Sequence, residues 1–186
     1  MLHSLQSGCT IGQVLPQAAL RNDPKLQYEH FRITKVDNDW QIESLSHAEP
    51  TWVYLRKPEL LKVNDRFRLG SIQLEVVQTH DWIKAKTSKL HSLARYSLVQ
   101  IENTGDIKAV FMLPDQTICK IGRALSDINI TDTTLSVTHA ALSIQGDTLQ
   151  ISDLGSESGV WRRLRGSETL PRRTLMCAGN TLFLLP

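Results

Sequence analysis

The feature that most constrains this chain is a spacing. His30-Phe31 and His139-Ala140, Ser44-Leu45 and Asp153-Leu154, and Trp52 and Trp161 each stand 109 residues apart. Thr10-Ile11-Gly12-Gln13 answers Lys120-Ile121-Gly122-Arg123 at 110, so one residue has shifted in the intervening loop. A constant offset over several landmarks is the signature of an internal repeat, and 186 residues leave room for two small domains. The better preserved copy runs through Ile121–Val160. There Ala141–Ile144 and Leu149–Ile151 alternate with period two around the turn Gln145-Gly146-Asp147, which predicts two half-buried strands. The small polar residues between the strands fall at one end of them, the layout of a binding site built from loops on a β scaffold.

The same reading extends along the chain. Leu20–Pro24 is turn-like, because the proline disfavours helix at Asp23. His30–Ile33 and Trp40–Ile42 alternate around Asp37-Asn38-Asp39. Pro50–Leu55 is rich in aromatic and β-branched residues, while Val63–Gly70 and Ile72–Val76 alternate again. Thr79–Arg95 breaks the pattern: it is polar, lysine-bearing, and compatible with a short helix at Ser88–Arg95. Ser97–Ile101 and Ala109–Leu113 open the second copy, and Asn180–Leu185 closes it. No stretch has the length and period of a core helix, so the class is all-β.

Gly122-Arg123, Ser136-x-x-His139 and Asp153-Leu154-Gly155-Ser156-x-Ser158-Gly159 together resemble the forkhead-associated (FHA) domain. The resemblance covers most of the chain as two tandem copies, the second fairly specific and the first degenerate. It implies two β-sandwiches, at residues 1–78 and 94–186, joined by a linker at 79–93. It also implies phosphothreonine-peptide recognition by the loops. Within the family the first and last strands lie side by side. The first copy has almost nothing before its Gly12 turn, and the second stops at Pro186. Either the chain is a piece of a longer protein or the copies share strands. Pairing Ile72–Val77 with Leu98–Ile101 would satisfy both exposed rows of backbone groups.

By this resemblance Arg123 supplies a fixed-charge planar fork for phosphate, and Ser136 a short hydroxyl donor. Thr138 and Ser158 complete the peptide-binding set. His139 braces the loops without touching ligand, and Gly122 and Gly159 give structural support. Two positions depart from the family. Its backbone-aligning asparagine is Ser158 here, which lacks the paired donor and acceptor of an amide. The basic residue usual after the pocket serine is Val137. In the first copy Gln13, Gln27 and Glu49 replace the arginine, serine and asparagine, and only His30 remains. A carboxylate facing a phosphate repels it, so that copy is expected to be structural or to bind without phosphate.

Composition excludes several other classes. Hydrophobic content of 41% with 22% charged residues is that of a globular chain rather than a disordered one. Cys9, Cys119 and Cys177 are odd in number and widely spaced, with neither a Cys-x-x-Cys nor paired histidines. They read as small core hydrophobes in a reducing, cytoplasmic setting, and no metal or other cofactor is expected. There is no nucleophile elbow, no phosphate loop with lysine and no apolar run long enough to cross a bilayer, so neither an enzyme nor a membrane-spanning segment is expected. Trp161-Arg162-Arg163-Leu164-Arg165, with Arg172-Arg173 behind it, is a basic, aromatic-flanked patch of the kind that binds nucleic acid or an acidic partner, but it reads first as a solvated hairpin. Basic and acidic residues balance at nine each over Ser92–Pro186, so nucleic acid is not an expected partner. The partner is expected to be a protein. The rival to a phosphothreonine reader is a constitutive scaffold of a larger assembly, such as secretion or signalling machinery, that uses the sandwich without phosphate.

Overall fold

A computed structural model gives the fold, describing residues 8–13, 22–46, 48–79, 94–115 and 117–186. The linker stretch 80–93 and the short helix expected near Ser88 lie outside the described residues, as do 1–7, 14–21, 47 and 116. Among the described residues the regular elements are seventeen β-strands, in accord with the all-β expectation.

Packing divides the chain into two compact units. One, here the central unit, is the continuous stretch Leu55–Arg162; the other, the terminal unit, combines Met1–Tyr54 with Arg163–Pro186. The grouping therefore differs from the boundaries at 78 and 94 read along the chain, since each unit takes part of both repeats.

In the terminal unit β1 (Cys9–Ile11), β2 (Phe31–Val36), β3 (Asp39–Ser44) and β15 (Ser167–Leu170) form one sheet in the order β1-β2-β3-β15. β4 (Thr51–Tyr54), β16 (Leu175–Ala178) and β17 (Thr181–Leu184) pair in the order β17-β16-β4. Alternate residues of β2 and β3 turn inward. Phe31, Ile33, Trp40 and Ile42 thereby share a core with Met176, Phe183 and Leu185. Phe31 and Phe183 meet edge to face, with ring centroids 5.3 Å apart.

In the central unit β5 (Glu59–Leu61), β10 (Ile118–Gly122), β11 (Ile128–Asn129), β12 (Ala140–Gln145) and β13 (Thr148–Asp153) form a sheet ordered β11-β10-β12-β13-β5. A second sheet runs β14-β6-β7-β8-β9 through β14 (Val160–Arg163), β6 (Arg66–Leu69), β7 (Ile72–Gln78), β8 (Tyr96–Ile101) and β9 (Ile107–Leu113). Inward residues of both sheets, among them Phe67, Leu74, Leu98, Ile121, Leu142 and Ile151, make one core.

The 109-residue offset recurs in the register. Leu61 pairs with Leu149 and Leu170 with Trp40, so either pair gives the other when each residue is moved by 109 along the chain. Leu69 with Val160 and Ala178 with Thr51 are related in the same way. Thus β5 and β6 pair with β13 and β14, while β15 and β16 pair with β3 and β4. The offset shows in the sequence but this pairing does not, because backbone rows of either partner offer the same groups. Ile72–Gln78 pairs with Tyr96–Ile101, Val76 opposite Leu98, so both strands have the neighbour that the sequence left open.

Candidate functional site

The central unit carries all the residues singled out for phosphate, at the end of the sheet where β10 stops. Gly122 ends that strand because the chain there passes against the loop before β12. A Cβ on Gly122 would lie 2.1 Å from the Val137 carbonyl oxygen, a distance no side chain tolerates. Arg123 follows. Its backbone N–H donates to the Ser136 carbonyl at 2.9 Å, which seats the arginine beside the serine. Arg123 is exposed, and its guanidinium has no hydrogen-bond or ion-pair partner among the described residues.

Ser136 is half-buried, and its Oγ accepts the Glu157 N–H at 3.1 Å. An oxygen used as acceptor leaves the hydroxyl hydrogen to be donated elsewhere. The backbone N–H groups of Val137 and Thr138 donate to nothing among the described residues. The structure thus brings Arg123, Ser136 and Thr138 together with uncommitted donors.

His139 is fully buried and sits behind them. Its N–H donates to Ile121 O at 2.8 Å, Nδ1 accepts from the Ser136 N–H at 3.2 Å, and Nε2 meets Gly159 O at 3.1 Å. With one ring nitrogen on the Ser136 N–H and the other on Gly159 O, the ring ties the Ser136 loop to the Ser158-Gly159 turn. Gly159, at φ 72°, in turn donates its N–H to Ser156 Oγ at 3.0 Å. Ser158 is placed differently from the others: its hydroxyl donates inward to Thr134 O at 3.1 Å. It ties the loops with its hydroxyl hydrogen, while the oxygen of this exposed residue stays open as an acceptor.

The sequence reading missed the layer beneath. Thr134 donates its N–H to Asp132 Oδ1 at 2.8 Å, and its Oγ1 accepts the Ser71 N–H at 2.8 Å. Ser71 Oγ donates to Asp132 Oδ2 at 2.9 Å. Hydrogen bonds from the Thr134 hydroxyl and N–H, with Ser71 and the charge of Lys108 assisting, outweigh burial and hold the Asp132 carboxyl below its usual range. One signal could have found it: Asp23 stands 109 residues before Asp132. In the terminal unit Asp23 accepts from the Asn180 N–H at 2.7 Å and the Thr181 hydroxyl at 2.7 Å.

The terminal unit repeats the frame without the arginine and the serine. Gln13 N–H donates to Gln27 O at 3.0 Å and Gln27 N–H to His30 Nδ1 at 3.1 Å, as Arg123 and Ser136 do. Gln13 Nε2, however, turns inward to Asp23 O at 3.1 Å. Where the central unit has an exposed cation, this mouth holds a tethered neutral amide. Burial pushes the His30 imidazole below its usual pKa despite a nearby carbonyl and the charge of Asp23.

The arginine cluster is only partly the solvated hairpin that the sequence suggested: Arg172 and Arg173 are exposed, but its start is not. Trp161 and Arg162 are buried, and Arg162 Nε lies 2.5 Å from Glu59 Oε1. Trp161 donates its indole N–H to Ser158 O at 2.9 Å, and its ring lies under the Arg68 guanidinium. Strand pairing of β14 with β6 turns these long side chains onto the unit, which charge counting cannot see. Among the described residues no group of three or more His, Cys, Asp or Glu is placed to hold a metal. Burial raises the Cys119 thiol to about 11, which keeps it an unreactive core side chain. No helix of the described residues is long and apolar enough to cross a membrane.

Comparison with known proteins finds similarity over part of the chain. Residues 119–173 match the family model of the FHA domain. The matched stretch begins in β10, passes the site, and runs beyond Arg162 into the terminal unit. Among solved structures, the FHA domain of the CT664 protein from Chlamydia trachomatis is similar at 29% sequence identity and a TM-score of 0.31, over 47% of this chain and 93% of that one. Among curated proteins none matches significantly.

Proposed function

We propose that this chain is a protein-interaction module that recognises phosphothreonine peptides through the loops of the central unit. The observation that carries the reading is the mouth at Arg123 and Ser136. Arg123, whose guanidinium is exposed and without an internal partner, is tied by its backbone N–H to Ser136, whose hydroxyl hydrogen is unspent and which is followed by two unused backbone N–H groups. A dianionic phosphate needs that combination: a planar cationic fork and converging short donors. The FHA match over 119–173 supports the same reading, since FHA domains are interaction modules. Arg123, Ser136 and Thr138 make the contacts, Ser158 shapes the loop, and His139, Gly122 and Gly159 hold the frame. We read the protein as two tandem copies, the first degenerate and serving as structure or as a phosphate-independent surface. We place it in the cytoplasm, with a protein and not a nucleic acid as partner.

The second reading, a constitutive scaffold, rests on Ser158. Its hydroxyl is spent on Thr134 O, so the peptide-backbone grip of the family is absent at that position. Titrating matched phosphorylated and unphosphorylated threonine peptides against the full chain separates the two. The phospho form should bind more tightly, and Arg123→Ala should weaken it by about ten- to a hundredfold, the cost of one charged hydrogen bond. Gln13→Ala should leave it unchanged. Equal affinity for both peptide forms would favour the scaffold.

A further inference from the structure

Thr134 is where three segments of the central unit meet. Its Oγ1 receives the Ser71 N–H, its N–H goes to Asp132, and its carbonyl receives the Ser158 hydroxyl. Ser71 and Gly70 form the turn between β6 and β7. A Cβ on Gly70, at φ +55°, would lie 2.3 Å from Thr134 Oγ1 and 2.6 Å from its carbonyl oxygen. The turn is thus pressed against the base of the loop that carries Ser136, and its two donors are both spent there. Thr134 precedes Ser136 by two residues, and Ser136 Oγ accepts from the Glu157 N–H of the opposite loop.

We infer that the Gly70-Ser71 turn positions the phosphate-reading loops, acting through Thr134 and Asp132 on Ser136 and the Glu157–Ser158 segment. This rests on the phosphate reading for its effect on binding, but not for its effect on loop order. The turn belongs to the first repeat and the loops to the second, so the competent site is built by both copies. Substituting the first copy then alters recognition even though it contributes no phosphate ligand. The terminal unit supplies the comparison. There the turn residue is Asn180, whose N–H and Nδ2 both go to Asp23, at 2.7 and 3.3 Å.

The test uses the full chain and a phosphothreonine peptide drawn from a degenerate library. Ser71→Ala should weaken it about three- to tenfold, the loss of one neutral hydrogen bond. Ser71→Asn, which places at the turn the residue found at position 180, should restore the parent affinity. Asn180→Ala should leave it unchanged. Amide hydrogen exchange of the ligand-free protein gives an arm independent of phosphate: the Ser136 and Glu157 N–H groups should exchange faster in Ser71→Ala and at the parent rate in Ser71→Asn. If the parent ignores phosphate, the phosphate reading falls and exchange alone decides the positioning claim. Unchanged exchange at Ser136 and Glu157 in Ser71→Ala overturns it, as does a Ser71→Asn variant that behaves like the alanine.

Discussion

Gly122 and Gly12 are fixed by contact. A methyl group on either would meet a carbonyl oxygen of the neighbouring loop, Val137 at 2.1 Å or Tyr28 at 2.3 Å. Backbone cannot step aside as a flexible side chain can, so Gly122→Ala should cost about 2 kcal/mol or more, read as a lowered urea midpoint. Arg162 makes a different point. Its charge suggested a surface patch, but it is buried against Glu59. Arg162→Glu would set two carboxylates together out of water and should destabilise by about 3–5 kcal/mol. A variant as stable as the parent would show that the pair is solvated after all. Ser158→Asn tests the peptide grip: an amide at that place should tighten phosphopeptide binding, and a loss of affinity would mean that the bond to Thr134 O is what matters there. Arg123, Ser136 and His139 could be singled out in the sequence only through the resemblance to the FHA pattern, since each alone reads as an ordinary surface or structural residue. Asp132, Thr134 and Ser71 were not singled out, because each alone is an ordinary turn residue, and only the fold brings positions 71 and 132 together.

Strands were legible where the pattern alternates. β12 buries every second residue, and β2, β3 and β13 do so over their first four; these hairpins were read from the sequence with strand ends within about three residues. β5, β15 and β16 were missed. Glu59-Leu60-Leu61 is too short to show a period, and Leu175-Met176-Cys177-Ala178 is apolar throughout, with three of its four residues buried. The two aspartate clamps join such elements to the loops. At Asp23 burial acts to raise the pKa, but hydrogen bonds from Thr181, Asn180, Lys25 and Leu26 prevail and lower it. A carboxyl with a depressed folded pKa stabilises above its unfolded value, near 3.9, and that contribution is lost as pH falls through the folded value. Asp23→Asn should therefore be less stable than the parent at neutral pH, with the gap closing as pH falls below about 4. A gap of constant size down to pH 2 would contradict the clamp.

At the scale of the molecule, the 109-residue offset was legible in the sequence but the strand pairing was not. Early strands pair with late ones at registers that recur with the same offset. A fragment of residues 94–186 lacks β5, β6 and β7, so β13, β14 and β8 would each lose a partner. Expressed alone it should fail to give dispersed amide resonances, and a well-folded fragment would show that the completion by the first copy is dispensable. The central claim concerns where the full chain meets its partner. Amide chemical-shift mapping with a phosphothreonine peptide tests it most directly. The account predicts that perturbations gather at Arg123, Ser136–Thr138 and Glu157–Gly159, are absent at Gln13 and Gln27, and disappear with the unphosphorylated peptide. Shifts centred on the terminal unit, or the same shifts with and without phosphate, would contradict it.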